Sequence, residues 1–282
     1  MGAVIRKAVH AADGEQLSLY TVTPQNESFG ACGVVIMHGA GAGDKERHLP
    51  FAEDFAAHGH PALALDFSGH GESTGELLHL SLRRRRDQAV AVIDEVFGSE
   101  RPLVLVGFSM SGQTVADLVD LYGRRVAAIV LCAPGIYGSD AWDVPFGAGF
   151  TELIRRPESW RDSQALDTYA RFDGRALLVV PEQDAVIPEG VTELLRTALA
   201  TRADFSDLRL AGAGHQLGIW LADQSQARSD IISTLLRPRP SVQVLETGPQ
   251  STEFPQISRR PEPPRGGGSV SLWASSACRA AR

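Results

Sequence analysis

The chain has 282 residues, of which 43% are hydrophobic, enough apolar material for one large domain with a sizeable core. Its formal net charge is −7, and the stretch from Pro238 onward carries six arginines against three glutamates, so residues 1–237 alone carry −10. This acidic balance excludes nucleic acid as an expected partner, because binding to phosphates needs a positive surface. No signal-peptide region, membrane-spanning apolar run or disulfide framework is visible, so the sequence predicts a cytoplasmic protein without a membrane span.

Short apolar runs alternate with segments of helical periodicity along most of the chain. The runs predict strands in two segments around Asp13-Gly14 and at 32–37, 62–67, 103–106, 126–132, 176–180 and 205–210. The periodic segments predict helices at 49–58, 81–97, from 114 onward, 189–199 and 217–236. This rhythm predicts an α/β fold with a mostly parallel central sheet and helices on both faces.

Two segments depart from the rhythm. Residues 134–174 separate two strands by about forty residues and contain Trp142, Phe146 and Phe150. Long connections often serve as lids over active sites, so we expect an inserted lid in which these three of its aromatic residues bind substrate. An extra helix packed on the sheet edge is the alternative. Residues 238–282 hold seven of the sixteen prolines and little periodicity, which predicts a disordered C-terminal tail after a domain spanning 1–237.

The segment Gly107-Phe-Ser109-Met-Ser111-Gly112 lies between a buried strand and a helix. A serine on such a strand–turn–helix junction is lifted above the sheet, provided that the residues two before and two after it are small. Gly107 meets the first requirement, whereas Ser111 stands where glycine is usual. The segment therefore predicts Ser109 as a nucleophile.

A serine hydroxyl needs a base to remove its proton and a third group to orient that base. Asp184 follows one late strand and His215 follows the last strand, which places both at the carboxyl edge of the sheet. Glu182, Asp140 and Asp143 remain alternative acids. His38 and His70 also lie in loops near the site, but neither of them follows the last strand.

The chain resembles the α/β-hydrolases from about residue 3 to 237, and among them the capped serine esterases, lipases and aminopeptidase-like hydrolases. The matching motifs are His38-Gly39-Ala40-Gly41, Asp66-Phe-Ser-Gly-His-Gly-Glu-Ser73, Gly107-Phe-Ser109-Met-Ser111, Asp184 and His215. The resemblance implies Ser109 as nucleophile, His215 as general base and then acid, and Asp184 as the group that holds the imidazole. It also implies an oxyanion hole formed by the backbone N–H groups of Ala40 and Met110.

These residues predict a serine hydrolase that needs no cofactor and cleaves a carboxylic ester or thioester of a mainly apolar small molecule through an acyl-enzyme. An acyltransferase or acyl-eliminating lyase with the same triad is one alternative, and a non-catalytic binding module is another. Arg83 to Arg86 form a basic run that is typical of a solvated helix face, although it could also bind a phosphate of a carrier protein or coenzyme A. No metal-ligand spacing is present, so no metal is expected.

Overall fold

The computed structural model describes residues 3–26, 31–41 and 43–237. They form one sheet with the strand order β1-β2-β4-β3-β5-β6-β7-β8. The strands are β1 (Val4–Ala12), β2 (Glu15–Thr23), β3 (Gly33–Met37), β4 (Ala62–Leu65), β5 (Leu103–Phe108), β6 (Val126–Cys132), β7 (Arg175–Gln183) and β8 (Asp204–Gly214). Strands β1 and β2 are antiparallel to their neighbours, and β3 to β8 are mutually parallel. The α/β fold with a mostly parallel sheet is therefore confirmed.

Helices cover both faces of this sheet. They are α1 (Leu49–Ala57), α2 (Leu82–Phe97), α3 (Ser111–Tyr122), α4 (Thr151–Ile154), α5 (Gln164–Arg171), α6 (Glu189–Leu199), α7 (Leu217–Ala222) and α8 (Ser225–Leu236). Strand β5 shows why two layers form: Leu103 and Leu105 pack in one hydrophobic layer, while Val104 and Val106 pack in the other. The two-residue period of a strand thus distributes one apolar run between both faces of the sheet.

Several expected element boundaries are wrong, among them the ends of β4, β7 and β8 and the start of α3. Strand β5 continues through Gly107 to Phe108, whereas the glycine was expected to end it. The single helix expected at 217–236 is two helices, α7 and α8. Arg228 caps the end of α7, where its Nη1 donates hydrogen bonds of 2.6 and 2.7 Å to the carbonyls of Leu221 and Ala222. These carbonyls need other partners where a helix stops.

The inserted segment contains several short helices rather than one long element. Its apolar side chains form a small cluster with Leu82 at the start of α2 and Met110 beside the predicted nucleophile. Helix α5 closes the segment, and its Tyr169 hydroxyl donates a 2.5 Å hydrogen bond to the carbonyl of Gly112 in α3. The insert is thereby fixed against the helix that follows Ser109. The expected tail at 238–282 lies outside the described residues.

Within the part of the chain that the structure describes, no helix is both long enough and apolar enough to cross a bilayer.

Candidate active site

Ser109 stands on a sharp turn between β5 and α3. Its backbone φ is +48°, an unfavourable value for a residue with a side chain, and neighbouring strands hold it there. The Ser109 N–H donates to Cys132 O at 2.9 Å, and the N–H of Gly135 donates to Ser109 O at 2.8 Å. A Cβ on Gly107 would lie 2.7 Å from the Ser111 carbonyl oxygen, so only glycine fits before this turn.

The structure brings Ser109, His215 and Asp184 into one hydrogen-bonded row. The Ser109 Oγ lies 2.9 Å from His215 Nε2, and His215 Nδ1 lies 3.0 Å from Asp184 Oδ2. The three residues follow β5, β7 and β8, whose carboxyl ends share one edge of the sheet. With Nδ1–H donated to the carboxylate, Nε2 has a lone pair that faces the serine hydroxyl. This arrangement can remove a proton from Ser109 and return it to a leaving group.

The acidic alternatives have other partners. Glu182 Oε2 accepts the backbone N–H of Gly212 at 2.8 Å. Asp140 pairs with Arg156 at 3.3 Å, and Asp143 pairs with Arg83. Of the four carboxylates that the sequence offers, the structure places Asp184 against His215.

The loop after β3 lies directly over the serine. A Cβ on Gly39 would come within 3.0 Å of Ser109 Cβ and 3.3 Å of Phe108 O, so the close approach requires glycine. Ala40 lies beyond this contact, and Met110 begins the turn into α3. The geometry thus puts the two expected oxyanion residues on segments adjacent to Ser109.

The motif at 66–73 is a structural loop. Asp66 and Lys45 are fully buried, and Lys45 Nζ lies 2.8 Å from Asp66 Oδ2 and 2.8 Å from Glu72 Oε2. Asp66 Oδ1 also accepts the backbone N–H of Lys45 at 2.6 Å. A Cβ on Gly71 would lie 2.2 Å from the same carboxylate. The motif therefore anchors the loop after β4 to the residues that follow the oxyanion loop.

His38 and His70 lie close to each other under the oxyanion loop, with ring centroids 4.5 Å apart. The Phe67 N–H donates to His38 Nε2 at 3.1 Å, which leaves Nδ1 to donate to Gly39 O at 2.6 Å. Burial, reinforced by the charge of Arg85, lowers the pKa of His38 well below its ordinary value. His38 is therefore a neutral structural group in this geometry.

A cavity of about 160 Å³ opens at Ser109 and His215. Besides these two residues it is lined by the oxyanion loop, the loop before α1 and the start of α7. Its apolar wall includes Phe108, Leu217 and Ile219, and its charged group is Arg47. Burial lowers the pKa of the adjacent His48 to about 4, so that ring is neutral at pH 7.

The three aromatic residues expected to bind substrate lie elsewhere. Phe146 and Phe150 contact each other, with ring centroids 4.6 Å apart, within the cluster that includes Met110. Trp142 donates its indole N–H to Asp117 at 3.1 Å and lines a separate cavity of about 430 Å³ between α2, α3 and α5. The described residues that line the cavity at Ser109 include none of the three. All three belong to or pack against the hydrophobic cluster that contains Met110, and substrate binding by them stays a prediction.

Several residues that line the cavity were not predicted from the sequence. Three of them lie within four residues after His215: Gln216, Leu217 and Ile219. Because they follow the last strand at the same edge of the sheet, the sequence could have predicted that they line the site. Arg47 and His48 come from the loop after β3, whose path the sequence does not define.

The arginine run is only partly a solvated face, because one of its members is buried and the others are partly exposed. Arg85 is fully buried, Arg84 Nε lies 2.6 Å from Asp13, and Arg83 pairs with Asp143. Arg86 pairs with Asp87 at 2.6 Å and lies over the Trp142 ring. Three of the four charges thus have carboxylate partners already.

In the described residues no group of three or more His, Cys, Asp and Glu side chains is arranged to hold a metal ion.

Comparisons with known proteins agree with this fold. A family model described as serine aminopeptidase, S33, matches residues 32–160. An esterase from Exiguobacterium antarcticum superposes with a TM-score of 0.61 at 15% identity, covering 82% of this chain and 99% of that one. A thioesterase domain from the curacin biosynthetic pathway superposes with a TM-score of 0.60 at 18% identity. The match covers 81% of this chain and 99% of that domain. The chain therefore has the α/β-hydrolase fold, and its residues 32–160 are similar to the serine aminopeptidase family.

Two curated relatives carry the same description, the dihydrolipoyllysine-residue acetyltransferase component of an acetoin cleaving system. The one from Cupriavidus necator is 34% identical over 129 residues, which is 46% of this chain and 33% of the relative. The one from Pseudomonas putida is 28% identical over 213 residues, which is 73% of this chain and 49% of the relative. The chain therefore spans a third to a half of the length of these relatives.

Proposed function

We propose that the protein is a serine hydrolase that cleaves a carboxylic ester or thioester through an acyl-enzyme. The observation that carries the proposal is the Ser109–His215–Asp184 row, with separations of 2.9 and 3.0 Å, at the wall of a cavity. The match of residues 32–160 to the serine aminopeptidase family model, and the esterase and thioesterase structures that share the fold, support it.

The proposed reaction has two halves. His215 takes the proton of Ser109 as Oγ attacks the carbonyl carbon, and the N–H groups of Ala40 and Met110 bind the oxyanion. Collapse of the tetrahedral species expels the alcohol or thiol, which receives the proton from His215. Water then repeats the sequence on the acyl-enzyme and frees the acid. Each oxyanion donor acts mainly in the tetrahedral state and contributes roughly 3 kcal/mol to the barrier reduction.

The size and lining of the cavity favour a short, mainly apolar acyl group. Its volume of about 160 Å³ is below the roughly 300–1,000 Å³ of pockets that hold drug-sized ligands. We expect p-nitrophenyl acetate and butyrate, and the matching acyl thioesters, to be turned over faster than the dodecanoate. Equal rates across that series would contradict the proposed acyl pocket.

The decisive product analysis is hydrolysis in ¹⁸O-labelled water. Under the proposal, one labelled oxygen enters the released acid, and Ser109→Ala abolishes its release without loss of folding. Elimination of an acyloxy group releases acid without label and would overturn hydrolysis. Retained turnover in folded Ser109→Ala would overturn the nucleophile.

The curated relatives favour a second candidate, transfer of the acyl group to a thiol. Their name describes an acetyltransferase acting on a dihydrolipoyl group, and this chain matches part of each of them. Addition of dihydrolipoamide to the assay separates the candidates. A hydrolase forms free acid at an undiminished rate, whereas a transferase diverts the acyl group into S-acyl dihydrolipoamide.

A further inference from the structure

Arg85 is a buried cation without a carboxylate partner. It lies in the first turn of α2, its exposed fraction is 0%, and it forms no ion pair with any described residue. The guanidinium carbon lies 3.8 Å from the centre of the Phe67 ring. Burial lowers the pKa of the group to about 9, so it remains charged at pH 7.

This placement is costly for folding. The Nε and Nη1 atoms are buried and have no hydrogen-bond partner among the described residues. A buried charge without a counter-ion, and buried donors without acceptors, both destabilise a fold. Stabilisation of the domain therefore does not account for an arginine at this position.

The remaining nitrogen takes part in a closed triangle of hydrogen bonds. Arg85 Nη2 donates to His38 O at 2.6 Å and to Ser111 Oγ at 2.8 Å. The Ser111 hydroxyl in turn donates to His38 O at 2.6 Å. Ser111 stands where glycine is usual in the turn. Its hydroxyl, which glycine would lack, donates to the His38 carbonyl.

The triangle fixes the chain immediately before Ala40. The His38 carbonyl is held by Arg85 and Ser111, while the Gly39 carbonyl accepts His38 Nδ1–H at 2.6 Å. The Gly39 carbonyl and the Ala40 N–H belong to one planar peptide unit, so they point in opposite directions. Holding the two carbonyls therefore sets the direction in which the Ala40 N–H points.

We propose that Arg85 and Ser111 are positioning residues that orient the oxyanion loop through the His38 carbonyl. The inference rests on the proposed function. Neither side chain touches the reacting atoms; both act through the backbone of His38 and Gly39. Preorganised donors are worth most when their direction is set before the charge develops, and a small misplacement is costly.

The test compares Arg85→Met, Arg85→Lys and Ser111→Ala with wild type, using Arg84→Met as the matched control. Arg84 is adjacent but pairs with Asp13 at the surface side of α2. Three quantities are measured: kcat and KM for a short p-nitrophenyl ester, the inhibition constant of an alkyl trifluoromethyl ketone, and Tm. The ketone forms a tetrahedral adduct with a serine, so it reports oxyanion binding.

We expect Arg85→Met to lower kcat by roughly 10- to 100-fold with KM unchanged, and to raise the inhibition constant of the ketone by a similar factor. Its Tm should equal or exceed that of wild type, because an apolar side chain replaces a buried unpaired charge. Arg85→Lys should recover part of kcat, and Ser111→Ala should lose about 10-fold. Arg84→Met should retain wild-type kinetics.

The outcomes separate the inference from the function on which it rests. Wild-type kcat in folded Arg85→Met and Ser111→Ala, with an active wild type, overturns the positioning role alone. A fall in Tm with unchanged ketone affinity also overturns it, because that pattern marks a packing role. If Arg85→Met does not fold, Ser111→Ala decides. A wild type that neither turns over esters nor binds the ketone overturns the proposed function itself.

Discussion

Hydrogen bonds hold the carboxylate of Asp184 in the orientation that faces His215. Its Oδ1 accepts the backbone N–H groups of Val186 and Ile187 at 2.8 and 2.9 Å, and its Oδ2 faces His215 Nδ1 at 3.0 Å. The two backbone donors prevent the side chain from rotating away. They also leave one oxygen in line with the imidazole, which sets the tautomer that the serine needs.

Replacing Asp184 with asparagine should therefore impair chemistry more than folding. We expect Asp184→Asn to lower kcat by roughly 10³- to 10⁴-fold, because the imidazole loses its orienting acceptor and its preferred tautomer. Steady-state kinetics on a short ester measures the effect, with Tm as the check on folding. Glu182→Gln is the matched control, since Glu182 lies near in sequence but bonds Gly212. A larger loss in the control than in Asp184→Asn would contradict the assignment.

Arg85 marks the limit of prediction at the residue scale. Four consecutive arginines indicate an exposed surface, although the helical spacing from Arg85 to Ala89 and Val92 places this one arginine on the buried face of α2. Its burial depends on Phe67 and the His38 carbonyl, which lie more than fifteen residues away in the chain. Ser111, in contrast, was visible as a departure from glycine, although its hydrogen-bond partner was not.

At the scale of elements, the fully buried pair Lys45–Asp66 joins the loops that follow β3 and β4. A buried charge left without its partner destabilises a fold strongly, whereas an exposed pair contributes little. The same network contains an exposed pair for comparison with the buried one. Glu72, which pairs with Lys45, also pairs with Lys7, whose side chain is about half exposed.

We expect Lys45→Met to lower the free energy of unfolding by about 3–5 kcal/mol, because it leaves Asp66 charged and buried. The control Lys7→Met should change it by less than about 1 kcal/mol. Urea denaturation at pH 7 measures both. Equal effects of the two substitutions would mean that the buried pair is not what ties the two loops together.

The order of strands and helices could be predicted from the sequence. This order also explains why the candidate site residues could be predicted. Apolar runs of four to seven residues specify buried parallel strands, and residues that follow such strands gather at one edge. Ser109, Asp184 and His215 each follow one of those strands, so the topology alone brings them together. The inserted segment obeys no such rule. Its aromatic residues pack in one hydrophobic cluster with Leu82 and Met110, and the periodicity of the sequence could not show that.

At the scale of the whole molecule, buried neutral histidines link folding to pH. Burial lowers the pKa of His48 and of His70 to about 4, from an ordinary value of 6.5. Below pH 6.5 the unfolded chain binds protons that the folded chain excludes. The stability associated with each ring is therefore complete above pH 6.5 and is lost as the pH falls toward 4, by about 3 kcal/mol per ring.

Replacing His48 with glutamine tests this linkage. Between pH 6.5 and 4.5 the wild type should lose about 2–3 kcal/mol more of its unfolding free energy than His48→Gln, because glutamine does not titrate. Urea denaturation at the two pH values gives the difference. An identical loss in both proteins would show that His48 is protonated as readily in the folded state as in the unfolded chain.

Fluorophosphonate labelling followed by peptide mass mapping shows whether Ser109 is an activated nucleophile. We expect one label, on the peptide that contains residues 107–112, and none on that peptide in folded Ser109→Ala. Absence of label on the folded wild type, or equal labelling of the variant, would contradict it and favour a binding module that retains the hydrolase fold.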